Sequence, residues 1–338
     1  MRSLSIGEDG RRSEALLALT SGTRRAAVPA EPGPSVKVLV PATVKMRRRR
    51  FRDVAWVSFD PARPVPAEHA DAAVLISRDI PAAVLAEDAR RLGGLRLVQA
   101  LSADGDAERE AGFTAPIAAA PELHVPFAAE HALALVFELA RRVNGQARSA
   151  DEEHSRDGSA DAEHTAGEPF SLVDARVAVW GMGPLGERVA ALLTALGASV
   201  AGIGSAATER GGVQYFQEGT PMAARILERS TLLVACVSGS EALIGGEAFE
   251  ALGPRGLFVN AGAPAAVDGD GLAVALAAGK LRGAALTGVD PVWRAAARRS
   301  IESAAIIAPA PDRITDPSAL VGAQVESLLL GCPFANVV

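Results

Sequence analysis

Apolar runs of strand length recur along this chain, separated by stretches with helical or turn-like spacing. VKVLV (36–40), AWVSF (55–59), AAVLI (72–76) and LRLVQA (95–100) open the series, with PIAAA (116–120) as a fifth candidate. Strands that alternate with helices predict a parallel sheet. AAEHALALVFELARRV (128–143) then sets Leu133, Val136, Phe137 and Ala140 at helical intervals. A second series begins at ARVAVW (175–180), with a helix expected over 184–197 and a strand near 199–203. VQYF (213–216), TLLVAC (231–236), GLFVN (256–260), a helix over 268–279 and GAALT (283–287) continue it. AAIIA (304–308) and a terminal helix, SALVGAQVESLLL (318–330), close the chain. The expectation is an α/β protein with two parallel-sheet units, and 338 residues is a natural length for two domains.

Two segments break the pattern. Residues 1–35 are polar and rich in Arg, Ser and Pro, which predicts a disordered tail. Residues 144–169 are small and acidic with almost no large apolar side chain, so they read as a flexible insertion at a domain junction. MRRRRFR (46–52) falls in the region expected to hold the first helix and turn, where it reads as an exposed face.

Composition narrows the class. Apolar residues make up 49% of the chain, enough for two cores, and the formal charge of −6 argues against a nucleic-acid footprint over the whole protein. Cys236 and Cys332 are the only cysteines and lie far apart, which argues against a disulfide framework and fits a reducing cytoplasm. The first twenty residues lack the apolar core of a signal peptide, and no later run reads as long enough to span a membrane. Neither nucleic acid nor membrane is expected as a partner. His154 and His164 sit among acids at a spacing that matches no compact metal site, so no metal is expected.

The chemistry-bearing motif is VAVW-GMGPLG-ERVAALLTALG, a strand, a glycine turn and a helix in that order. Gly181 permits the tight turn, Gly183 lets a pyrophosphate approach the backbone, and Gly186 lets helix and strand pack closely. Met182, Pro184 and Leu185 complete the loop, and the helix N-terminus supplies free N–H groups for phosphate. A dinucleotide site ordinarily carries an acid at the end of the next strand, on the adenosine ribose. Here that position is Gly204, followed by Ser205, with Thr208, Glu209 and Arg210 nearby. Losing the carboxylate removes selection against a 2′-phosphate, which Ser205, Thr208 and Arg210 could receive. Glu209 is an alternative ribose contact, so NAD and NADP both stay open as cofactor.

The order of segments resembles the D-isomer-specific 2-hydroxyacid dehydrogenase family over residues 36–338, apart from the acidic insertion. LRLVQALSADGDAE (95–108) is similar to its substrate loop, AAEHALAL (128–135) to its interdomain helix, and VAVWGMGPLG to its glycine loop. LFVNAGAPAAVDGDGLAVALAAGKLRGAAL (257–286) and the terminal NVV (336–338) follow the family as well. The resemblance implies a dinucleotide-binding Rossmann domain (170–303) inserted in a discontinuous, flavodoxin-like substrate domain (36–142 and 304–338), with a homodimer. It also implies hydride transfer between a nicotinamide and a 2-hydroxy or 2-keto acid. Val237, Asn260, Ala261 and Thr287 would adjoin the cofactor.

The same resemblance exposes departures. The family's carboxylate-clamping Arg aligns with Ala263, and no Arg lies between Asn260 and Leu281. Its acid/base His aligns with Ala310, and no His follows His164. The loop with its orienting Glu is shortened to VDPVW (289–293), leaving Asp290 as the nearest acid, and an Asp beside the nicotinamide becomes Thr287. Substitute groups to be weighed are His124, Asp312, Arg313 and the upstream Arg294, Arg298 and Arg299. His131 reads as a packing residue at the domain junction, and Cys236 as buried rather than nucleophilic. The expectation is a weak or repurposed oxidoreductase. The alternatives are a catalytically dead, dinucleotide-sensing module and a non-redox enzyme using the same cleft.

Overall fold

The computed structural model describes residues 36–141, 171–239, 241–291, 293–309 and 312–338. The expected tail (1–35), the insertion (144–169) with His154 and His164, and Ala310 lie outside the described residues.

Five parallel strands form the first sheet: β1 (Val36–Pro41), β2 (Val54–Phe59), β3 (Val74–Ser77), β4 (Leu97–Ala100) and β5 (Ile117–Ala118), in the order β2-β1-β3-β4-β5. Alternate residues of a strand face opposite sides of its sheet. Val38, Val40, Val74 and Ile76 accordingly pack on one face, and Leu39, Leu75 and Val98 on the other. Helices α1 (Ala82–Arg91) and α2 (Asp106–Ala111) connect the strands, and α3 (Pro121–Arg141) leaves the sheet. The expected helix between β1 and β2 is absent. Val44, Met46 and Phe51 of that crossover lean on the core, while Lys45, Arg47 to Arg50 and Arg52 are exposed. Four successive arginines leave no apolar stripe at helical spacing, so no helical face exists to bury.

The second sheet has eight strands: β6 (Arg176–Trp180), β7 (Ser199–Gly204), β8 (Thr208–Arg210), β9 (Val213–Gln217), β10 (Leu232–Ala235), β11 (Leu257–Asn260), β12 (Gly283–Leu286) and β13 (Ile306–Ile307). Their order is β13-β12-β11-β10-β6-β7-β9-β8, all parallel except β8. From β6 the chain winds out to β9, then returns to β10 on the other side. The sheet is thus doubly wound with a switch point between β6 and β10, where α/β proteins bind ligands. Helices α4 (Pro184–Ala195), α5 (Pro221–Arg229), α6 (Gly246–Leu252), α7 (Gly269–Ala277) and α8 (Ala295–Ala304) cover it, and α9 (Ser318–Leu330) returns to the first sheet.

Three boundaries differ from expectation. First, α3 begins at Pro121, with Pro126 inside it. Leu123 joins the first core, but Ala129, Ala132, Leu135, Val136 and Leu139 join the second beside Val189 and Leu193 of α4. The change of unit therefore falls within α3 rather than after 142. Second, β13 pairs with β12, so residues around 306 belong to the second sheet rather than to the returning substrate domain. Third, α3 meets the length and hydropathy expected of a membrane span, contrary to the sequence reading. The apolar positions just named are buried in the two cores, whereas Phe137 on the same helix is 40% exposed.

Candidate dinucleotide site

The glycine turn opens at the C-terminal end of β6, against the end of β10. Gly181 has φ of 124°, a region that side chains disfavour, and its N–H donates to the Ile203 carbonyl at 2.9 Å. A Cβ there would lie 2.7 Å from the Cys236 carbonyl oxygen. Gly186 is buried, and a Cβ on it would overlap the carbonyl of Gly181, so α4 seats on its own turn. Gly183 is the opposite case: it is exposed, and a Cβ added to it would meet nothing within 4 Å. Pro184 starts α4, Leu185 rests on the core, and no side chain caps the first turn. Uncapped amides, a helix dipole and an open glycine fit a pyrophosphate. Cys236, directly below, is buried, and burial pushes its thiol up to about 12, which leaves it inert as expected.

The ribose end departs from an ordinary site. Gly204 is buried, and Met182 fills the space in front of it. Ser205 and Glu209 are exposed. Thr208 pairs with Tyr215 across the β8–β9 hairpin, and Arg210 at its tip binds Glu187 of α4 at 3.0 Å. The guanidinium is thus brought to the glycine-loop helix already paired.

At the far end, the loops after β10 and β11 interlock. Ala261 and Gly262 both donate to the Ala235 carbonyl, at 2.8 and 3.1 Å, and Ala263 donates to Val237 at 2.8 Å. Buried Asn260 accepts from the Gly262 N–H and donates to the Ala263 carbonyl, each at 3.2 Å. The Thr287 hydroxyl donates to the Gly262 carbonyl at 3.2 Å. Backbone and amide groups therefore hold this loop, and Ala263 adds only a methyl group. Asp290 is buried and lines a cavity of about 260 Å³ with Asp268, Asp270, Trp293 and Arg294. Arg294 binds Asp270 through Nε at 2.8 Å, which ties it to the start of α7.

The remaining candidates do not gather at one place, and Arg298 and Arg299 lie on α8 of the second unit. His124 Nε2 contacts the Leu101 carbonyl at 2.8 Å, and His131 Nε2 contacts the Ala308 carbonyl at 2.9 Å. The second contact ties α3 to the end of β13 within the second unit, not across the domain junction expected of His131. Asp312 binds Arg78 at 2.8 Å, and Arg313 lies 4.7 Å over the ring of Phe127.

The family model for the NAD binding domain of D-isomer specific 2-hydroxyacid dehydrogenases matches residues 133–298. Residues 133–298 are thus similar to the nucleotide domain of that family. The match begins within α3, where the packing changes from the first core to the second. Solved 2-hydroxyacid dehydrogenases share the whole fold. A family protein from Aeromonas salmonicida is 17% identical with a TM-score of 0.68, covering 90% of this chain and 99% of that one. A second, from Xanthobacter autotrophicus, was solved with NADPH and MES; it is 20% identical at TM-score 0.66, covering 90% and 98%. An NADPH-dependent glyoxylate/hydroxypyruvate reductase of Sinorhizobium meliloti, solved with NADP and sulfate, is 18% identical at TM-score 0.66 with the same coverage. At these identities the likeness establishes the fold. No curated protein sequence matches the chain.

Within this 2-hydroxyacid dehydrogenase fold, sequence reading passed over Arg78 and Phe127. A single Arg after a strand carries no pattern, and Phe127 falls just before the helix expected at 128. Only the fold brings them to Asp312 and Arg313.

Proposed function

We propose that this chain is an NAD(P)-binding member of the 2-hydroxyacid dehydrogenases whose hydride transfer is weak or directed to an atypical substrate. The observation that supports dinucleotide binding is the glycine turn. Gly181 and Gly186 are pressed against backbone, whereas Gly183 alone faces open space at an uncapped helix start. Residues 181–186 would hold the pyrophosphate, and the nicotinamide, when bound, supplies or accepts the hydride. NADP is favoured at the ribose end, because Gly204 offers no carboxylate to repel a 2′-phosphate while Ser205 is exposed.

The reading of weak chemistry rests on the family positions. Ala263 stands where the resemblance places the clamp, and no histidine follows His164 to act as acid/base. Removing a general acid/base lowers rates by about 10²–10⁴-fold. Titration with NADH and NADPH, followed by a screen of 2-keto acids, tests both parts. Absence of binding to either nucleotide at millimolar concentration rejects the cofactor reading, and turnover at an ordinary dehydrogenase rate rejects the weak-chemistry reading. Turnover rescued by Ala263→Arg with Ala310→His supports the family correspondence. A homodimer belongs to the same proposal on family resemblance, and light scattering measures it.

A further inference from the structure

The strands of the first sheet all end at one edge. There β3, the loop after β4, the head of α3 and residues 312–315 converge. Ser77 ends β3, and its hydroxyl donates to Glu108 Oε1 at 2.6 Å with both residues buried. Asp79 has left-handed backbone, with φ of 55°. Arg78 lies between this buried bond and this turn. Its side chain is 14% exposed and holds Asp312 Oδ1 at 2.8 Å and Asp79 Oδ2 at 3.5 Å. Asp312 itself is 77% exposed. The next residue, Arg313, stacks on Phe127, and Thr315 donates its N–H to the Leu123 carbonyl at 2.9 Å.

A built, largely covered guanidinium whose principal partner is a solvent-exposed carboxylate is suited to exchange that partner for another carboxylate. Arg presents a planar fork that matches a carboxylate in two parallel hydrogen bonds. Meanwhile Ala263 leaves the second unit without a cation at the place the family resemblance assigns to one.

We propose that Arg78 is the anion anchor of this chain, taking the carboxylate of a small organic acid, and that Asp312 is its built-in competitor. The proposal rests on the dehydrogenase reading above for the class of ligand, but its binding step needs no nucleotide. Asp312 lowers affinity for the ligand without abolishing it, because its own carboxylate stays largely solvated in the pair.

The test is calorimetric titration of the full chain with oxalate, a redox-inert dicarboxylate, alongside titration with NADPH followed by fluorescence. Asp312→Asn is expected to bind oxalate about fivefold more tightly than wild type, the scale of releasing one ion pair whose carboxylate is solvated. Arg78→Gln is expected to lose oxalate binding in either background. Arg78→Lys keeps the charge without the fork and is expected to weaken binding severalfold. Thermal melts confirm that each variant is folded. Oxalate affinity that is unchanged in Arg78→Gln, or no tighter in Asp312→Asn, overturns the proposal. So does failure of both wild type and Asp312→Asn to bind. NADPH binding without oxalate binding defeats the anchor and leaves the dinucleotide reading standing, and the converse result does the reverse.

Discussion

Met182 occupies the space that a side chain on Gly204 would need: a Cβ there would overlap the Met182 Cγ and Sδ atoms. The residue between the first two glycines and the last residue of β7 are therefore coupled by volume. An acid cannot be introduced at 204 while the methionine keeps its rotamer. Gly204→Asp alone is expected to cost about 1–2 kcal/mol of stability, as overpacking a site beside a flexible side chain. Met182→Ala with Gly204→Asp is expected to recover part of that loss and to shift preference from NADPH toward NADH. Urea unfolding and paired nucleotide titrations read the two effects separately. A single variant as stable as wild type would show that Met182 does not fill this space in solution.

The three glycines of the turn should separate folding from binding. Gly183→Ala adds a methyl group to open space and is expected to change stability by less than about 0.5 kcal/mol, while weakening nucleotide binding tenfold or more. Gly186→Ala drives a methyl group into the Gly181 carbonyl and is expected to destabilise the fold outright. Equal loss of stability in both variants would contradict the assignment of Gly183 to the ligand.

Buried Gln324 of α9 joins the C-terminal segment to the first sheet. Its Nε2 donates to Gln99 Oε1 at 2.9 Å and to the Ala335 carbonyl at 2.8 Å, and its Oε1 accepts from the Ala335 N–H at 3.1 Å. Gln324→Ala strands these partners, two of them backbone groups, and is expected to cost about 2–4 kcal/mol. Chemical denaturation measures it, and a loss below about 0.5 kcal/mol would show that water replaces the amide.

Asp88 supplies a pH dependence with a definite sign. It is fully buried in α1, accepts the Val65 N–H at 2.8 Å through Oδ1, and leaves Oδ2 unpartnered. Burial raises its carboxyl above the ordinary aspartate range, outweighing the lowering by that hydrogen bond. The folded state then holds this proton more tightly than the unfolded state. Stability from this group is present below the unfolded value and is lost as pH rises through the raised one. Asp88→Asn, which is neutral throughout, should remove that slope and be at least as stable as wild type at about pH 7. Unfolding measured from about pH 4 to pH 7 checks it; a wild-type contribution that grows with pH over this window would reverse the sign.

The sheets were legible in the sequence because buried parallel strands are short continuous apolar runs, and VKVLV, TLLVAC and GLFVN carry that signal without interruption. The glycine turn was legible because its backbone demands glycine at fixed intervals. What sequence alone hid depended on distant partners. The start of α3 at Pro121 goes against the local preference of Pro126, and packing between two cores overrides it. The β8 strand is three residues paired antiparallel to β9, too short to show a period, although Gly211-Gly212 marked its turn. Arg210 looked like a phosphate ligand in the linear order, and only the folded hairpin shows it on Glu187.

The two ends of the eight-stranded sheet are strands of three and two residues, β8 and β13. So little unsatisfied backbone gives a neighbouring chain almost nothing to template on. Two copies of this unit therefore have little edge strand with which to continue one sheet into the next. Ladder-type fibre growth is thus closed off at both margins by length alone.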